Sequence, residues 1–184
     1  MTTTFESLGV AAPLVAVLSE RGISEPFAIQ ALTIADALAG RDVCGKAKTG
    51  SGKTLAFGIP TLQKMAKAKP NRPTGIVLVP TRELATQVRD ELSPLAGSID
   101  RVVTAIYGGD PIEKQVTALE KGVDLIVCTP GRAIDLIERK ALSVADVNHV
   151  IVDEADRMAD MGFLPQVEWI LRNIDGEHQT LLFS

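Results

Sequence analysis

The stretch Val147-Asn148-His149-Val150-Ile151-Val152-Asp153-Glu154-Ala155-Asp156 decides the architecture. Apolar residues through Val152 read as a buried strand, and the acidic run begins where that strand stops. Carboxylates at the C-terminal edge of a strand stand where open α/β sheets hold their ligands. The matching half of such a site lies upstream, in Ala47-Lys48-Thr49-Gly50-Ser51-Gly52-Lys53-Thr54, between a short strand at Val43-Cys44 and a helical pattern from Leu55. Gly50 and Gly52 allow backbone turns that a side chain would obstruct, so successive N–H groups can point at phosphate oxygens at the positive end of the helix. Lys53 is then placed for the β and γ phosphates, and the Thr54 hydroxyl for Mg2+. Ala47 stands where the general phosphate-loop pattern has its first Gly, but the cradle glycines remain.

Asp153 is the second candidate for Mg2+, held through water because that ion sheds its hydration reluctantly. Glu154 is the candidate to orient and deprotonate an attacking water, and Asp156 to couple the site to neighbouring segments. Together these residues describe a nucleoside triphosphatase site that uses Mg2+.

Around this site the chain alternates strand and helix. Strand patterns occur at Val43-Cys44, Gly75 to Val79, Arg101 to Ile106, Asp124 to Cys128, Val147 to Val152 and Thr180 to Phe183. Helical spacing of apolar residues covers Leu55 to Ala68, Arg82 to Leu95, Ile112 to Lys121, Ala133 to Arg139 and Val167 to Ile174. The alternation predicts an α/β fold with a mostly parallel central sheet and helices on both faces. A length of 184 residues fits one domain, residues 1–184, with a core of mainly aliphatic side chains. The chain stops inside or just after its last strand, so it is expected to be part of a longer protein.

Composition narrows the partners. A formal charge of -4 gives no global basic field, so any nucleic-acid contact must be local. No apolar run approaches the ~20 residues of a membrane span and the N-terminus lacks a leader pattern, so a cytoplasmic, membrane-free protein is expected. Cys44 and Cys128 both fall in apolar strand patterns and are expected to be buried thiols. His149 and His178 have no ligand-spaced partner.

Five further segments complete a pattern. Pro80-Thr81-Arg82-Glu83-Leu84-Ala85, Gly108-Gly109 and Thr129-Pro130-Gly131-Arg132 occur in order between the phosphate loop and the acidic run. Arg157-Met158, continuing to Asp160-Met161-Gly162-Phe163, follows that run, and Gly22, Pro26, Ile29 and Gln30 precede the phosphate loop, with Phe5 further upstream. With these segments the chain resembles, from Phe5 to Ser184, the first RecA-like domain of a DEAD-box RNA helicase. The resemblance implies that Phe5, Ile23, Pro26 and Gln30 serve the adenine. A primary amide presents a donor and an acceptor together, which suits the N6 and N7 edge of that base. It also implies that Pro80, Thr81, Arg82, Gly108, Gly109, Thr129, Pro130, Gly131 and Arg132 hold the RNA sugar-phosphate backbone, with little sequence preference. Ile23 replaces the family's usual stacking aromatic, and Lys48 replaces a common Gln.

The same resemblance implies a second RecA-like domain beyond Ser184, which itself stands at the start of the family's Ser-Ala-Thr segment. That domain would supply an arginine finger and the rest of the RNA clamp. The isolated domain is thus expected to be monomeric and nearly inactive, whereas the whole protein would hydrolyse ATP to ADP and phosphate and locally unwind short RNA duplexes. Two other functions are compatible with parts of the pattern. One is an ATP-gated RNA clamp without turnover, which would have no need of Glu154. The other is a DNA-directed helicase, against which the Gln30 segment argues.

Overall fold

The computed structural model describes residues 3–48 and 50–184. Two helices, α1 (Ala12–Glu20) and α2 (Ala28–Leu38), precede the first strand, β1 (Val43–Gly45), and the phosphate loop then enters α3 (Lys53–Lys64). Next come β2 (Gly75–Leu78), α4 (Arg82–Ser98), β3 (Val103–Ile106), α5 (Ile112–Glu120), β4 (Leu125–Cys128) and α6 (Pro130–Glu138). The chain closes with β5 (His149–Val152), α7 (Ala155–Asp160), α8 (Leu164–Arg172) and β6 (Gln179–Phe183). The strands form one 6-stranded sheet in the order β1-β6-β5-β2-β4-β3, and every pairing is parallel. The α/β expectation is met.

Alternate strand residues divide between two cores. Val77, Val127, Ile151, Leu181 and Phe183 face a layer built from α1 to α4, including Leu14, Ile34, Phe57 and Leu92. Ile76, Leu78, Ile126, Val150 and Val152 face the other layer, where Leu119, Leu136, Met158, Val167 and Ile170 come from α5 to α8. Burial on both sides is why these strands read as continuous apolar runs.

Several boundaries move for identifiable reasons. The helix expected through Ala68 ends at Lys64 because the backbone beyond it bonds elsewhere. The Ala68 N–H donates to Asp124 Oδ1 at 2.6 Å, and Thr74 Oγ1 donates to the Ala66 carbonyl at 2.8 Å. Asp124 Oδ2 also accepts the Val102 N–H at 2.8 Å, so Arg101 and Val102 stay outside β3. One buried carboxylate therefore ties two other segments to its own. Helices α1, α2 and α7 lie outside the periodic stretches named above, and α6 starts at Pro130.

Cys44 corrects an expectation: it is exposed, whereas Cys128 is buried. β1 is an edge strand, and Cys44 is in register with Leu182, which is itself 37% exposed. The helices of the α5 to α8 layer leave this end of the sheet uncovered. Among the described residues no helix is long and apolar enough to cross a membrane.

Candidate functional site

The strand order sets the site. The phosphate loop leaves β1 and the acidic run leaves β5, with β6 between them, so both emerge at the same edge of the sheet. A cleft of about 390 Å3 opens there, lined by Gly50, Gly52, Lys53, Thr54, Asp153 and Glu154 together with Ile23 and Gln30. Gly50 and Gly52 hold φ of 81° and 84°, the left-handed region that favours glycine, and Gly52 is the N-cap of α3. Among the described residues Ala47 is not held at positive φ, so a side chain is tolerated at this departure from the pattern. Thr49 lies outside the described residues.

Lys53 Nζ donates to Glu154 Oε1 at 3.1 Å, joining the two halves of the site. Lys53 is 8% exposed and Asp153 3%, so both charges sit away from bulk water. Burial pushes the Asp153 carboxyl up to about 6, although the nearby Lys53 ammonium and the Glu154 N–H, which donates to Asp153 Oδ1 at 2.9 Å, pull it down. Glu154 itself takes φ 54°. A non-glycine residue in that region costs on the order of 1–3 kcal/mol and persists only where its surroundings hold it.

Gln30 is fully buried and both ends of its amide are engaged. Its Oε1 accepts the Phe27 N–H at 2.9 Å, and its Nε2 donates to the Gly52 carbonyl at 3.0 Å. A primary amide has a second N–H and a second lone pair, so one donor and one acceptor remain for a base. The contact is tight: a Cβ on Gly52 would stand 2.3 Å from Gln30 Nε2.

The backbone-binding candidates cluster beside this cleft, at the ends of β2, β4 and β3. Thr81 caps α4, its Oγ1 accepting the Leu84 N–H at 3.3 Å, and Arg82 opens that helix with its side chain exposed beside Glu83. After β3, Gly109 takes φ 93°, and a Cβ there would approach Arg82 Nη1 at 3.7 Å. Gln115 Nε2 donates to the Tyr107 carbonyl at 2.9 Å and pins the start of the same loop. After β4, Thr129 is the N-cap of α6, which begins with Pro130 and Gly131, and Arg132 Nη1 donates to the Asp110 carbonyl at 3.2 Å. Pro80 is buried beneath them. A second cavity, of about 380 Å3, is lined by Gly108, Thr129, Pro130, Gly131 and Arg132 together with Asp135, Phe163 and Gln166.

Five expected residues do not line the nucleotide cleft. Phe5 is 1% exposed and packs in the core among the helices of the α1 to α4 layer, so apolar burial has claimed its ring. Pro26 is half-buried and Lys48 exposed, while Ser51 turns back through its N–H to the Lys48 carbonyl at 3.1 Å. Asp156 is exposed in the first turn of α7, where its carboxylate accepts the Arg157 N–H at 2.9 Å. The cleft instead gains Ser24, Glu25 and Phe27 from the segment before α2, Leu55 from α3, and Leu84, Gln87 and Glu91 from α4. Phe27 carried a legible signal, an aromatic between Pro26 and the helix that bears Gln30. The α4 residues had none, because they reach the cleft only through packing of whole helices.

A parallel sheet with a glycine-rich loop at one strand end and paired carboxylates at another defines a RecA-like, phosphate-loop α/β domain. The family model described as DEAD/DEAH box helicase matches residues 27–184, and the chain belongs to that family. It is 46% identical over 184 residues to the DEAD-box ATP-dependent RNA helicase CshA of Bacillus subtilis, and 48% identical over 183 residues to CshA of Bacillus cereus. These matches cover 100% and 99% of this chain but 37% and 34% of the relatives, so the chain spans about a third of their length. Among solved structures, a DEAD box protein from the hyperthermophile Methanococcus jannaschii superposes with a TM-score of 0.89 at 36% identity, covering 98% of this chain and 49% of that one.

Proposed function

We propose that this chain is the ATP- and RNA-binding half of an RNA-dependent ATPase that separates short RNA duplexes. The observation that supports the reading is the 3.1 Å contact between Lys53 and Glu154, an ammonium that would bind phosphate beside a carboxylate that would activate water. Phosphate oxygens at the loop would compete with Glu154 for the Lys53 ammonium. Freed from that pair, Glu154 can accept the proton of a water attacking the γ phosphorus as ADP leaves. Gln30 would offer its remaining N–H and lone pair to adenine, while Ile23 and Phe27 would flank the base.

The site fits Mg2+ by its donor set. That ion prefers a few hard oxygens plus substrate phosphates, and the Thr54 hydroxyl and Asp153 carboxylate line the same cleft. Bound there, it would neutralise charge on the phosphates. Pro80 to Arg82, Gly108-Gly109 and Thr129 to Arg132 would hold single-stranded RNA by its sugar-phosphate backbone. A second RecA-like domain of the same polypeptide would close over both ligands and supply an arginine finger. ATP and RNA, each favouring that closed state, would bind cooperatively, and phosphate release would reopen it.

The test is steady-state ATP hydrolysis by the complete polypeptide, with and without single-stranded RNA, beside Glu154→Gln. The expected result is strong RNA stimulation that the substitution abolishes. ATP-dependent RNA binding without any hydrolysis would instead identify a clamp.

A further inference from the structure

The cavity beside α6 has polar walls that are largely engaged within the protein. Arg132 donates to the Asp110 carbonyl at 3.2 Å, and the Asp135 carboxylate is held by Arg139 Nε at 2.6 Å. Gln166, from the first turn of α8, is different. Its Oε1 is buried yet has no hydrogen-bond partner among the described residues, and it lies 3.9 Å from where a Cβ on Gly131 would stand. Gly131 is exposed and has no side chain to close the approach. Among the described residues Asn71 and Gln115 also hold an unpartnered amide oxygen, but of these acceptors only Gln166 lines the cavity, and a site on the path of a ligand is one place where such an atom is tolerated.

The chemistry of the missing donor is restricted. Along a nucleic-acid backbone, phosphate and ring oxygens only accept hydrogen bonds. The one backbone group that donates is the ribose 2′-hydroxyl, which DNA lacks. We propose that Gln166 is a specificity-determining residue whose Oε1 accepts a hydrogen bond from one ribose 2′-hydroxyl, so that this cavity distinguishes RNA from DNA at a single nucleotide. The proposal rests on the reading of Thr129 to Arg132 as a backbone-binding segment, and adds a residue from a helix that none of the recognised segments contains.

The experiment uses the complete polypeptide with a non-hydrolysable ATP analogue and fluorescent oligouridylate, its all-deoxy counterpart, and a set of RNAs carrying one 2′-deoxy position each. Gln166→Ala is expected to weaken RNA binding about 5- to 10-fold, the size of one hydrogen bond, and to leave DNA binding within about twofold. Gln166→Glu keeps the acceptor, so its RNA-to-DNA affinity ratio should stay near that of the parent even as its added charge weakens both. In the parent, one deoxy position should cost as much as Gln166→Ala does, and the two losses should not add. Equal loss of RNA and DNA in Gln166→Ala, or a parent indifferent to every single deoxy substitution, overturns the proposal while leaving RNA binding intact. A parent that holds neither strand overturns the underlying RNA reading as well.

Discussion

Asp153 gives up its proton near 3.8 in an unfolded chain and near about 6 in the fold, so the folded state binds that proton more strongly. Its contribution to stability is therefore present below pH 4 and is lost as the pH rises through about 6. Asp153→Asn removes this titration without changing size. In chelator and without nucleotide, the variant is expected to be more stable than the parent at pH 7.5 by on the order of 2 kcal/mol, with the advantage gone near pH 4. Thermal melts at the two pH values check it, and a lead that persists at pH 4 would contradict the burial argument. Nucleotide recognition gives a second prediction at this scale. Ile23 lines the cleft as an aliphatic wall, and Ile23→Phe would add a stacking face worth about 0.5–1.5 kcal/mol, or roughly 2- to 10-fold tighter ATP binding by titration.

Between elements, close approach replaces chemistry as the deciding factor. Gly58 in α3 leaves room for Leu92 of α4: a Cβ there would stand 2.2 Å from Leu92 Cδ2. Gly58→Ala should overpack this layer and cost about 1–3 kcal/mol, measurable by urea denaturation. Pairing it with Leu92→Ala should recover part of that loss. Gly52→Ala is harsher, since φ 84° and Gln30 Nε2 at 2.3 Å both oppose a side chain, and nucleotide binding should be abolished. These junctions also explain what the sequence makes legible. The phosphate loop and the Asp153-Glu154 pair are readable because strand, loop and helix follow one another within a few residues. Phe5, Cys44, Gln87 and Gln166 are not, since a local apolar or polar pattern does not say which helix covers which end of the sheet. The short span of α3 was equally hidden, being settled by Asp124, more than fifty residues beyond it.

At the scale of the whole molecule, β1-β6-β5 carry the cleft proposed for ATP and β2-β4-β3 carry the loops proposed to hold the RNA backbone, side by side on one sheet edge. Helix α4 serves both: Thr81 and Arg82 stand at its start, and Leu84, Gln87 and Glu91 face the cleft. If both proposed sites are occupied, a helix shared in this way offers a physical route for linkage between ATP and RNA, which must be reciprocal for binding. If an arginine finger is needed in trans, the 184-residue chain alone should hydrolyse ATP about 10³-fold or more below the complete polypeptide with RNA, by phosphate release. A chain that matches the complete polypeptide would show that this half is self-sufficient.

The uncovered end of the sheet has a practical consequence. Cys128 is sealed in the core, where burial pushes its thiol far above the ordinary value, whereas Cys44 is exposed on the strand that feeds the phosphate loop. A maleimide dye should therefore attach to the native chain at one point, without any engineered cysteine. The label would sit beside the loop proposed to cradle the triphosphate, as a built-in reporter of nucleotide exchange.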